Sequence, residues 1–242
     1  MDTSELRRAF TGSKSVTEHI TNFHHDRVDA IREGKTHVKL LDEPKVICHL
    51  IPLESFTSGV DHVMSAMDNQ LVNLPLLYSS GGWSPLYTED GLIVCDGPYR
   101  PPSSVYVQLF RTGVIESVSA CDVTYMFQDD PQKNLFLSTY YQQQIIVRLP
   151  KYCEALRNLG TQPPVLLLLT LTGMQGVRIR VEHLVGVPFN RDVILLPPVK
   201  LPDLEIDDFA PVLRSTFDLL WNIAGYPRCF DYKEDGSFKY RH

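Results

Sequence analysis

Residues 15–52 constrain the fold more than any other stretch: an amphipathic helix, a short connector, and a strand that reads as buried on both faces. Ser15-Val-Thr-Glu18 has capping-box spacing, in which the serine hydroxyl accepts from the Glu18 amide and the glutamate reaches back. The helix it opens is expected to run to Glu33 and stop at Gly34, a residue type that readily takes the left-handed conformation beyond a helix. At about 100° per residue, Val16, Ile20, Phe23, Val28 and Ile31 share one side. His24 and Arg27 fall inside that stripe, whereas His25 and Asp26 point away. In Lys45–Pro52, Val46, Cys48 and Leu50 alternate with Ile47, His49 and Ile51. Apolar residues on both faces predict a central strand. Two elements that must be buried therefore each carry a polar group inward.

A buried guanidinium needs a partner, because removing one member of a buried pair costs about 3–5 kcal/mol. His24, Arg27 and His49 are thus read as a polar seam, bonded to carbonyls, to a carboxylate or to one another. The competing reading makes them the lining of an open pocket in an enzyme of unrecognised type. His24-His25-Asp26 invites a metal, but adjacent helical histidines diverge by about 100°. No HxxxH or CxxC pair supplies the remaining ligands of a structural zinc site. Gly12-Ser-Lys14-Ser15 resembles the end of a phosphate loop, yet its first glycine and its preceding strand are missing. There is no GxSxG elbow, and Pro202-Asp203-Leu-Glu205 lacks the lysine of a nuclease motif. No catalytic residue, metal or cofactor is assigned, and the reading leans away from an enzyme.

Elsewhere the pattern alternates between helix and strand. Thr3 to Phe10 and Val60 to Val72 read as helical, and Ser79 to Gly82 as a break. Leu86–Thr88 and Leu92–Cys95 flank a hairpin turn at Glu89-Asp-Gly91; Ser104–Phe110 and Val114–Ala120 continue the meander. Asp130-Pro131 looks like a helix start. That helix should reach about Arg148, be kinked or split at Pro150, and end at Gly160. Val165–Leu171 is a second strand buried on both faces, Val177–Val181 an edge-like one, and Val193–Leu196 a short one. The last helix is expected from Asp207 or Asp208 to Gly225, with a final hairpin around Glu234-Asp-Gly236. The order predicts one α+β domain over residues 1–242, with a mostly antiparallel sheet of meander strands packed against several helices; residues 128–131 are the one candidate for a minor split.

A net charge of −6 argues against a uniformly basic nucleic-acid binder but leaves room for a local basic stripe. Arg178 and Arg180 share one side of the expected edge strand, and Lys239, Tyr240 and Arg241 set an aromatic beside cations, as stacking platforms do. Exposed charges that discourage edge-to-edge aggregation would look the same. Five widely spaced cysteines point to a reducing, cytoplasmic setting. The charged Met1–Phe10 is unlike a signal peptide, and Val165–Leu169, the longest apolar run, is too short for a membrane span.

Three stretches carry a resemblance: Phe23–Ile31 with Val46–Pro52, Val165–Gly173, and Phe217–Arg228. Together they resemble the region that follows the Schlafen-type AlbA-2 domain in prokaryotic proteins described as ATP-binding or DNA-binding regulators. In that family the nucleotide or nucleic-acid work is attributed to the AlbA-2 domain, which is not apparent in this chain. The resemblance implies a non-catalytic accessory module that associates with an AlbA-2-type partner or with itself. A nucleic-acid-binding or nucleic-acid-processing component is the alternative.

Overall fold

The computed structural model describes residues 3–56, 74–78, 85–96, 101–120, 123–125 and 135–241, with residues 3–15 and 124–125 described through their backbone alone. The chain opens with α1 (Thr3–Arg32) and β1 (Lys45–Pro52), then the meander β2 (Pro85–Tyr87), β3 (Gly91–Cys95), β4 (Val105–Phe110) and β5 (Ile115–Ser119). Next come β6 (Val123–Tyr125), β7 (Leu135–Leu137), α2 (Tyr140–Asn158) and β8 (Val165–Thr172). The hairpin β9 (Arg178–Val181) and β10 (Leu184–Val185) precedes β11 (Val193–Leu195), β12 (Val199–Leu201) and α3 (Ala210–Ile223). The architecture is α+β and mostly antiparallel; one ladder, β7 with β9, is parallel.

The larger sheet runs β11-β8-β1-β5-β4-β3-β2, with β12 also paired to β8. β1 lies between β8 and β5, and all eight of its residues are buried. This is the central, two-sided position that its composition predicts. Pairing sets Ile47 opposite Thr170 and Val118, and His49 opposite Leu168 and Glu116. Residues directly opposite one another share a face. That face lies under α1, with Val28 and Ile31 in one apolar cluster with Ile47 and Val118, and Ile20 in another with Ile51 and Leu168. The other face, with Val46, Cys48 and Leu50, joins the main core with α2 and α3, where Leu149, Tyr152, Phe217 and Trp221 are buried.

α1 ends as expected. Gly34 takes a positive φ of 68°, its amide donates to the Ile31 carbonyl, and the Lys35 amide donates to Ala30 at 2.8 Å. The same two bonds close α2 at Gly160 and α3 at Gly225.

Three expectations are corrected. α1 begins at Thr3, so Ser15 is an interior position and not a cap; a glycine such as Gly12 costs a helix only about 1 kcal/mol, too little to stop it. Leu135–Leu137 is strand, because it pairs with both β6 and β9, and α2 therefore starts at Tyr140; Pro150 lies inside it without splitting it. β9 is not an edge strand but sits between β10 and β7 in a second sheet of order β10-β9-β7-β6. The helix expected over 60–72, the break over 79–82 and the Asp130-Pro131 start fall outside the described residues. Among the described residues, no helix is long and apolar enough to cross a membrane.

Candidate functional site

The two buried faces meet in one polar network. Arg27, on the sheet side of α1, donates from Nε to Glu116 Oε2 and from Nη2 to Glu116 Oε1, both at 2.8 Å. His49 Nε2 lies 2.9 Å from Glu116 Oε2, and the Tyr106 hydroxyl donates to Oε1 at 2.6 Å. His24 Nδ1 and His49 Nδ1 are 2.9 Å apart, and His24 Nε2 is 2.9 Å from Thr170 Oγ1. With Glu116 ionised and one proton on each ring, a single assignment satisfies every contact. Thr170 donates to His24 Nε2, His24 Nδ1–H donates to His49, and His49 Nε2–H donates to the carboxylate.

His49 and Glu116 are fully buried, and the Arg27 side chain is only 15% exposed. Burial alone would raise the Glu116 pKa, but the hydrogen bonds from Arg27 and His49 and the charge of the guanidinium hold it at about 2. Burial, assisted by His49 and His25, pushes His24 down to about 3 against the opposing pull of Glu116. Burial and the neighbouring carboxylate push the Tyr106 phenol up. The guanidinium also stacks over Phe110, 5.1 Å from the ring centroid. The expected seam residues are thus brought together, and their donors and acceptors meet one another. That arrangement fastens α1 to β1, β4, β5 and β8.

The second group of expected residues is divided. Arg178 Nη1 donates to the Gly186 carbonyl at 2.9 Å and is half-buried. Arg180, Lys239, Tyr240 and Arg241 converge on a cleft of about 620 Å³ between the β9–β10 hairpin and the C-terminal tail. Arg228, Phe230, Glu182 and Asp231 line it as well, with Val181 and Leu184 of the hairpin. The tail reaches this place because it folds back as a turn, with Lys239 N donating to Asp231 O, and because the Gln143 side chain of α2 accepts from the Arg241 amide and donates to its carbonyl.

A third feature is apolar. Leu184, Val185, Val187, Leu195, Leu219 and Ile223 are 37–58% exposed. Leu195 and Ile223 line one hollow of about 200 Å³, Leu219 lies one turn before Ile223, and the Val187 amide donates to Ala224 just beyond it. Val187, Leu195, Leu219 and Ile223 thus gather at the end of α3, with the Val187 side chain beside Gly225, whereas Leu184 and Val185 alternate on β10 and point to opposite faces of the hairpin. Among the described residues, no cluster of His, Cys, Asp or Glu is placed to hold a metal ion.

Sequence reading did not single out Glu116, Tyr106 or Thr170 as partners of the seam, nor Arg228 and Asp231 as walls of the cleft. A lone glutamate inside an otherwise uncharged strand was the available signal for Glu116. No family model, curated protein or solved structure matches the chain.

Proposed function

We propose that the chain is a non-catalytic accessory module that mediates protein association, with itself or with an AlbA-2-type partner. The exposed apolar group of Val187, Leu195, Leu219 and Ile223 at the end of α3 carries this reading. Large apolar side chains scattered singly are ordinary, but a contiguous group marks an interaction surface. The buried network supports the non-catalytic part, since His24, Arg27, His49 and Glu116 are bonded to one another beneath α1.

Sedimentation velocity over a range of concentrations tests self-association, and titration with an isolated AlbA-2 domain tests the other partner. Association in either arm should be weakened at least tenfold by Leu195→Lys or Ile223→Lys, both surface changes. A chain that stays monomeric and does not bind the domain would overturn the proposal.

A further inference from the structure

The cleft between the β9–β10 hairpin and the tail has a composition unlike the rest of this acidic chain. Four cations, Arg180, Arg228, Lys239 and Arg241, line it from two directions. Three are held in place by groups that leave other donors free: Arg180 Nε donates to the Glu182 carbonyl, Lys239 Nζ to the Phe230 carbonyl, and Arg241 Nη2 to Asp231 and Thr139. Each guanidinium has five N–H groups and the ammonium three, so unused donors remain on each. Arg228 makes no hydrogen bond or ion pair among the described residues. Cations fixed in advance lose less freedom when an anion arrives.

Two further observations narrow the ligand. Tyr240 is 46% exposed at the cleft, braced edge-on by Phe238 at 5.3 Å. The Phe230 wall is braced by Trp221 and Tyr226, each at 5.5 Å. A flat, supported aromatic beside cations suits a base stacked next to its phosphate. Asp231 is 7% exposed, and its Oδ2 has no hydrogen-bond partner. A carboxylate oxygen repels bare polyphosphate, but it accepts from the exocyclic amine of a base or from a sugar hydroxyl. The hairpin lip is also strained: Glu182 is the single described non-glycine residue with a positive φ, 51°, and its carbonyl holds Arg180.

We infer that this cleft binds single-stranded nucleic acid, its cations on consecutive phosphates and Tyr240 under a base. A volume of about 620 Å³ is that of a small-ligand pocket, enough for a nucleotide unit and too little for a duplex groove. The cleft shares no residue with the apolar group of Val187, Leu195, Leu219 and Ile223, and its occupation does not depend on protein association.

The test is fluorescence anisotropy with labelled oligo(dT) and oligo(U) of about a dozen nucleotides, within the range single-strand sites occupy. Binding should weaken with salt with a log–log slope of about −2, for three phosphates at about −0.7 each. Arg180→Gln and Arg228→Gln should each weaken it severalfold and flatten the slope. Tyr240→Ala should weaken it about fivefold or more, as loss of one stacked base does. A matched duplex should compete poorly, and Ile223→Lys should leave binding unchanged. Circular dichroism of each variant checks that it folds. Absence of binding at low salt would overturn the inference. So would binding that Tyr240→Ala leaves untouched and inorganic polyphosphate displaces as well as oligonucleotide does, since that is a generic anion surface.

Discussion

Arg27 and Glu116 form a two-pronged ion pair across 89 residues of chain, with both N–O distances at 2.8 Å and the carboxylate wholly buried. The pair fastens a helix to the middle of the sheet. Arg27→Ala leaves an unpaired buried carboxylate and should cost about 3–5 kcal/mol in urea unfolding. Arg27→Met combined with Glu116→Gln removes both charges and should recover part of that loss. If Arg27→Ala left the unfolding midpoint unchanged, the pair would not be what holds α1.

Acid should weaken the fold in a defined window. His24 in the unfolded chain takes up a proton near pH 6.5, while the folded protein resists until about pH 3. Unfolding therefore binds a proton across that interval, and stability falls as pH is lowered, by at most about 1.4 kcal/mol per unit. Glu116 acts with the same sign lower down, between about 4.5 unfolded and about 2 folded. Urea midpoints from neutral pH downward should show the decline, and His24→Gln should flatten its upper part. Identical pH profiles for the two proteins would refute the assignment to His24.

Tyr106 donates to the same carboxylate at 2.6 Å from a buried position. Tyr106→Phe keeps the ring and deletes the donor. A hydrogen bond to a charged group contributes about 1.5–3 kcal/mol, and the variant should lose that much in equilibrium denaturation. A loss below half a kilocalorie would mean that water replaces the hydroxyl.

Gly186 fixes the apolar strip against α3. A Cβ there would stand 2.5 Å from the Ala224 carbonyl oxygen and 2.8 Å from the Tyr226 ring. Gly186→Ala should cost about 1–3 kcal/mol as overpacking does, and it should also disturb association by moving Val187 off the end of α3. A thermal melt together with sedimentation velocity checks both effects.

The sequence carried the local part of this structure and little of the long-range part. β1, the meander and the glycine stops were legible because alternation and left-handed caps are properties of a few neighbouring residues. Arg27 visibly needed an anion, yet 29 carboxylates were available. Choosing Glu116 requires knowing that β5 lies beside β1 in the register that sets Glu116 opposite His49. The position of β9 failed for the same reason: the strand that covers it, β7, is three residues long and was read as helix. Arg180 and Lys239–Arg241 were noticed as separate basic elements, but their convergence depends on the tail turning back to Gln143.

The buried network also bears on how the chain finds its sheet. Each of its strand members sits at one register position: His49 on β1, Glu116 on β5, Tyr106 on β4 and Thr170 on β8. A slip of one residue in any of these strands would turn its polar group to the opposite face, among the leucines of the main core. A misaligned Glu116 would there be a carboxylate without Arg27, and a misaligned His49 an imidazole without a partner. Apolar strands such as β1 and β8 tolerate several alignments on hydrophobicity alone; four polar side chains meeting beneath one helix leave them a single alignment in which every polar group is paired.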